Sequence, residues 1–237
     1  MESGLDVPWA LALPFALQLA AIAILPLAVP HFWESNRNKG LVGAALSLPV
    51  LYWVLRSEPM ALWHTAREYF SFICLLGSLF IVAGGIHLRG DLLARPRTNV
   101  AIVGAGALLA NVIGTTGASM LLIRLLLRTN AERRHTAHLP LFFILQVSNC
   151  GGLLTPLGDP PLFLGYLRGV PFTWTLRLLP IWLVANLYLL ALLYFVDRRA
   201  YARESSEALA LDRSREVAFG ISGKRHLPLL AAIALSV

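Results

Sequence analysis

Charge is scarce in this sequence. Only 14% of its 237 residues are Asp, Glu, Lys or Arg, against about 25% in ordinary soluble domains. In their place stand 57% hydrophobic residues and a mean hydropathy of +0.67. Several apolar runs approach or exceed the roughly 20 residues needed to cross a bilayer core of about 30 Å. A pair of soluble domains is excluded, and a polytopic membrane protein is the class that remains.

Other absences narrow the reading. Only two cysteines occur, Cys74 and Cys150, in or beside apolar sequence and without metal-ligand spacing, so packing is their expected role. No His/Cys cluster suggests a transition metal. The first apolar run, residues 7–30, follows Glu2 and Asp6 with no Lys or Arg and no small-residue cleavage site. A signal peptide needs a basic start and a shorter core, so this run is read as a retained span. "IVGAGALL" lacks the third glycine of a dinucleotide fingerprint, Leu109 standing in its place, and has no βαβ context. The net charge of +7 is explained by basic loops on the cytoplasmic side rather than by nucleic acid.

What is present is a series of apolar segments. Spans are expected at 7–30, 40–55 and 70–88, with 60–69 an interfacial segment carrying Trp63 and Tyr69, and a regular span at 174–196. Pro14, Pro26, Pro49 and Pro180 are expected to kink spans. Residues 197–226 are polar and basic and read as a cytoplasmic linker. The apolar run 227–237 is too short to cross and reads as the start of a further repeat.

Two segments break the pattern. Residues 98–128 have apolar arms of about 12 and 9 residues around "NVIGTTG" (111–117), roughly 18 and 14 Å long and too short to span. A re-entrant hairpin fits, entering and leaving on one side; the competing reading is one continuous span with tolerated Gly and Thr. Residues 139–168 carry "SNCGGLLTPLGDPP" between two short apolar pieces and read as one broken helix. Counting basic residues separates the hairpin from the continuous span. With the N-terminus outside and a hairpin entering from the cytoplasm, sixteen of the twenty Lys and Arg lie inside; with a continuous span only seven do. The charge bias favours the hairpin.

Irregular backbone at membrane depth is tolerated only where it is buried in protein or lines a wet cavity, and transporters use such breaks to hold ions. Both breaks offer hard oxygen donors: Asn111, Thr115, Thr116 and Ser119 in the first, Ser148, Asn149 and Thr155 in the second, with Gly114 and Gly151 at the interruptions. Oxygen suits a hard cation, and a Na⁺ site at Asn111, Thr115, Ser148 and Asn149 is the expected arrangement. Asp159 is the one carboxylate of thirteen placed inside a membrane-crossing segment. An ionisable group there marks a functional site by default. Desolvation favours its neutral form and a bound cation its charged form, so it would couple proton to cation. The alternative role for Asp159 is as a cap for the half-helix that opens at Pro160.

"EYFSFICLLGSLFIVAGGIHL" (68–88), "NVIGTTGASMLLIRLLLRTN" (111–130) and "SNCGGLLTPLGDPPLFLGYLRGVPF" (148–172) resemble the ion transporter superfamily. That group includes NhaD-type sodium:proton antiporters, citrate-type transporters and sodium–dicarboxylate symporters. The resemblance implies an all-α inverted-repeat transporter fold, of which residues 1–196 would form the first repeat. It further implies a homodimer in the bacterial inner membrane, where the charge count makes the N-terminus periplasmic. Symporters of the group carry Ser-Asn-Thr at the hairpin tip, where this chain has Asn111 to Thr116, so sodium binding carries over and carboxylate recognition does not follow. The expected function is exchange of Na⁺ for H⁺ without a further cofactor. Uptake of citrate or another small carboxylate is the alternative. An intramembrane hydrolase is the reading from another class, and it lacks a second carboxylate near Asp159 or a His base near Ser119 or Ser148.

Overall fold

The computed structural model describes residues 8–236; Glu2, Asp6 and Val7 at the head of the first run, and Val237, lie outside the described residues. Proline sets several of the helix boundaries. A residue before proline is pushed out of the α region, while proline itself suits the first turn of a helix. α1 (Ala12–Ala28) ends at Val29, φ −139°, and α2 (Pro30–Glu34) opens on the next residue. α3 (Asn36–Ser57) ends at Glu58, φ −151°, and α4 (Pro59–Gly84) follows. The interfacial segment expected at 60–69 is thus the first part of one unbroken helix. Pro26 and Pro49 lie inside helices, but Pro180 does not kink a span: it opens α8 (Leu179–Tyr201), behind a short 3₁₀ stretch at Phe172–Leu178.

The chain forms two compact units. In the first, up to Tyr69, α1 and α3 pack together and leave large apolar side chains such as Phe15, Ile24 and Leu48 uncovered. Among the described residues, five helical stretches are long and apolar enough to cross a membrane. Uncovered apolar surface on such helices is what a lipid environment accommodates.

The second unit, from Phe70 onward, is built around α5 (Pro96–Thr129). At 1.5 Å per residue a straight helix of this length would reach about 51 Å. It does not run straight. Gly114 has φ 75° and ψ 156°, and Asn99 and Asn130 exchange side-chain hydrogen bonds of 3.0 and 2.7 Å across the two ends. The element is a helical hairpin whose base lies at 99/130 and whose tip is Gly114. The arms are longer than the sequence suggests, about 27 and 22 Å, because residues 111–113 and 115–117 stay helical and one glycine makes the whole reversal.

α6 (His138–Gln146), a single 3₁₀ turn (Cys150–Gly152) and α7 (Pro160–Leu167) form the interrupted segment. Ile102, Val103, Leu122, Leu126, Phe143, Val147 and Leu193 make the core where both hairpin arms meet α6 and α8. The fold is helical with one exception that the sequence reading missed. β1 (His87–Asp91) pairs antiparallel with β2 (Val217–Ser222), with a bulge between Arg89 and Asp91. The stretch read as a plain linker therefore holds the last turns of α8, α9 (Ser206–Ser214) and β2, before α10 (His226–Ser236). Cys74 is exposed on α4 rather than packed, and Cys150 is partly buried; both are free.

Candidate functional site

The tip of the hairpin and the interruption of the broken helix meet, and three hydrogen bonds join them. The Thr115 N–H donates to Gly158 O at 3.1 Å. The Leu154 N–H donates to Asn111 Oδ1 at 2.9 Å, and the Thr155 hydroxyl donates to Asn111 O. Thr155 Oγ1 in turn accepts the Gly158 N–H at 3.2 Å. The approach is close enough to require glycine. A Cβ on Gly158 would lie 1.9 Å from Gly152 O, and one on Gly152 would lie 2.5 Å from Gly158 O. Gly114, at positive φ, takes a backbone conformation that side chains strongly disfavour.

The carbonyls freed by the break are served from behind. Trp182 Nε1 donates to Gly151 O at 2.9 Å, and Thr175 Oγ1 to Leu154 O at 2.9 Å. Gln146 and Asn186, both buried, lie side by side, with Gln146 Nε2 donating to Asn186 O at 3.2 Å. Their side-chain oxygens, Gln146 Oε1 and Asn186 Oδ1, are buried and receive no donor among the described residues. Sequence reading did not single out these four residues. Asn186, the one amide in the apolar stretch 179–196, was the available signal.

The residues expected to form the site divide into groups. Asn111, Gly114, Thr115 and Thr155 come together at the tip, with Asn111 and Thr115 buried. Thr116 is exposed but lines, with Gly114 and Thr115, a cleft of about 390 Å³ between α4, the tip and Gly158–Pro160. Among the described residues, no cationic side chain lines that cleft. Ser119 and Ser148 form a separate pair, their hydroxyls 2.8 Å apart. Gly151 packs against Ala107 of the first arm. Asn149 is exposed and turns back, its Nδ2 donating to Ile144 O at 2.8 Å, which places it as a cap on α6.

Asp159 stands at the N-cap position of α7, half-buried, and its side chain makes no capping hydrogen bond. The reason is local. A capping oxygen takes the N–H of the second or third helical residue. Pro161 has none, and the Leu162 N–H goes to the Asp159 main-chain oxygen at 3.1 Å. Pro160 lines the cleft beside it.

A second polar cluster, which the sequence did not announce, closes the base of the hairpin. Asp197, placed at the edge of a linker by the sequence, is fully buried in α8. It accepts from Arg133 Nη2 at 2.6 Å and from Asn99 Nδ2 at 2.8 Å, with His138 Nε2 3.0 Å away. Arg133 also donates to Asn130 Oδ1 at 2.9 Å and lies over the Tyr201 ring. Outside it, Glu204 takes the N–H groups of His135 and Arg134. Burial works to raise the Glu204 pKa, but those two N–H groups and the Arg133 charge outweigh it and hold the carboxyl below its ordinary range. Asp212 takes the Ala94 N–H on both oxygens. There burial, with Glu132 and Glu216 nearby, pushes the carboxyl up. Burial likewise raises Asp91, with Glu132 and Asp212 adding to it.

A helical chain with several spans, a hairpin that folds back on itself and a broken helix meeting its tip belongs to the class of multi-pass membrane transporters. Residues 4–237 match a family described as "Putative citrate transport". The chain belongs to that family and is a secondary transporter of the citrate and ion transporter kind. No curated protein and no solved structure matches it.

Proposed function

We propose that the full-length protein exchanges Na⁺ for H⁺ at the junction of hairpin tip and broken helix, with Asp159 as the group that exchanges the proton. The observation that carries this reading is the free carboxylate. Among the described residues the Asp159 side chain has neither a hydrogen bond nor an ion pair, although it lies in a segment where an unpaired charge is costly. A neutral acid is tolerable there, and so is a carboxylate beside a cation, but not a bare carboxylate. Proton and sodium therefore compete for one group, which is the minimal chemistry of exchange. Sodium is a hard cation and takes oxygen ligands. Asn111, Thr115 and Thr155 at the tip, and the donor-free oxygens of Gln146 and Asn186 beside the break, are the oxygens that support such a site.

Geometry joined to charge supports the expected orientation. Residues 94, 99, 130, 133, 197 and 212 hydrogen-bond at one end of the second unit. The basic loops 89–97, 124–134 and 198–215 thus share a side of the second unit, and the charge bias supports a cytoplasmic location for that side and an external N-terminus.

Citrate uptake is the second reading, and the family match favours it. Against it stand the absence of a cationic side chain in the tip cleft and the two prolines, which remove the N–H donors from the start of α7. Reconstitution of the full-length protein in proteoliposomes separates the two. An outward sodium gradient should drive proton uptake in the wild type and none in Asp159→Asn, with both proteins monodisperse and of similar Tm. Proton exchange at the wild-type rate in Asp159→Asn refutes the role of the carboxylate. Sodium-driven accumulation of labelled citrate without proton counterflow makes citrate uptake the function.

A further inference from the structure

Three arginines line a cleft far from the tip. Arg89 on β1 and Arg124 and Arg128 on the second hairpin arm face a space of about 380 Å³, with His87 and Ser222 beside them and, among the described residues, no carboxylate in its lining. Arg128 donates to Gly90 O at 3.3 Å and feels the charge of Asp91. Arg89 and Arg124 have no ion-pair partner among the described residues. A guanidinium stays charged at any physiological pH and presents a fork of donors matched to phosphate oxygens. Three of them converging with so little compensation call for an anion.

The cleft borders an apolar one. It shares Ile86, Leu88 and Leu121 with a second space of about 390 Å³, whose other walls include Ala105 and Leu109 on the first arm and Phe219 on β2. Among the described residues, no charged residue lines this second space. It follows the hairpin from Thr98 to Ile113, a rise of about 22 Å toward the tip. A free phosphate or carboxylate would use only the arginines, and an apolar peptide would not need them. One molecule uses both: a charged phosphate head at the hairpin base joined to an acyl chain lying toward the membrane interior. Basic pockets between membrane helices on the cytoplasmic side bind such head groups.

We propose that this composite cleft is a binding site for an anionic phospholipid, its phosphate held by Arg89, Arg124 and Arg128 and one acyl chain laid along the outer face of the hairpin. A lipid so placed ties the second arm to the β1–β2 ladder, independently of the ion chemistry at the tip.

Native mass spectrometry of the full-length protein in detergent tests it, with phosphatidylglycerol and phosphatidylcholine of identical chains as probes. The wild type should retain phosphatidylglycerol at least tenfold more than phosphatidylcholine. Arg89→Gln with Arg124→Gln should lose that preference, whereas Arg124→Lys should keep most of it. Ala105→Phe, which fills the apolar part, should lower retention severalfold although the arginines are intact. Equal retention of the two lipids by the wild type overturns the proposal, as does retention of phosphatidylglycerol unchanged in the double arginine variant or in Ala105→Phe. Full displacement of phosphatidylglycerol by glycerol 3-phosphate also overturns it, and shows instead a site for small water-borne anions. Should a variant fail to fold, the lipid preference and the glycerol 3-phosphate competition on the wild type decide alone.

Discussion

Replacing Asp197 with alanine should destabilise the second unit more than any exposed carboxylate can. The side chain is fully buried, and its loss removes the partner of Arg133 at 2.6 Å, of Asn99 at 2.8 Å and of His138 at 3.0 Å. Removing one member of a buried ion pair costs about 3–5 kcal/mol, because the other charge stays buried and uncompensated. Here the lower end applies. Arg133 keeps Asn130 Oδ1 at 2.9 Å and Glu204 at 3.7 Å, which return part of the lost compensation. About 3 kcal/mol corresponds to a fall in Tm of roughly 6–12 °C for a unit of this size. The measurement is a thermal melt of detergent-purified protein followed by fluorescence-detected size exclusion. Arg133→Met combined with Asp197→Leu supplies the control. A buried pair replaced by apolar side chains of similar volume is often neutral, so the double variant should melt well above Asp197→Ala, and the cycle should give a coupling of about 1–3 kcal/mol. A Tm for Asp197→Ala within about 2 °C of wild type, with additive single effects, would show that the base of the hairpin is not held by this pair.

Further outcomes are expected elsewhere. Asn111→Ala, which removes the acceptor for Leu154 N–H and an oxygen of the proposed cation site, should raise the apparent KM for Na⁺ several-fold in full-length protein; an unchanged sodium dependence in a stable variant would make Asn111 a purely structural clasp. Gly158→Ala should abolish transport and lower Tm, since its Cβ would overlap Gly152 O, and normal transport by this variant would contradict the tip contact. Asp91→Asn should raise Tm slightly at pH 7. The folded-state pKa of Asp91 lies above the ordinary value of 3.8, so its contribution is fully present below 3.8 and is lost as pH rises through the raised value. The gain from Asp91→Asn should therefore vanish near pH 3.5, and a variant less stable than wild type at pH 7 contradicts the crowding of Asp91 by Glu132 and Asp212. A single cysteine in place of Arg134, which is exposed in the same loop, on a cysteine-free background, should react with an impermeant thiol reagent only after cells are opened; labelling from outside reverses the proposed orientation.

How much of this was legible beforehand depends on the distance over which each feature is decided. Helical spans and their interruptions could be read because apolar runs, X-Pro steps and glycines act within a few residues: Val29–Pro30, Glu58–Pro59 and Asp159–Pro160 each end or open an element by local sterics. The sequence also indicated a reversal somewhere in 111–117, from arm length and the bias of basic loops. Only the folded chain decided that Gly114 alone makes the turn, and that Asn149 caps α6 while Thr115 meets Gly158. The β1–β2 ladder joins residues about 130 apart in the chain, and such a pairing leaves no local period to detect. Asp197 shows the same limit. By sequence it is the first acidic residue after an apolar run, the usual mark of a span reaching water. By structure it is buried, because Arg133 and Asn99 arrive from two ends of a hairpin that meet only once the chain has folded. Composition and local stereochemistry determined the membrane class and the places where helices stop. Which polar groups become partners was decided by tertiary structure, since a buried charge is tolerated only where distant parts of the chain bring its counter-charge to it.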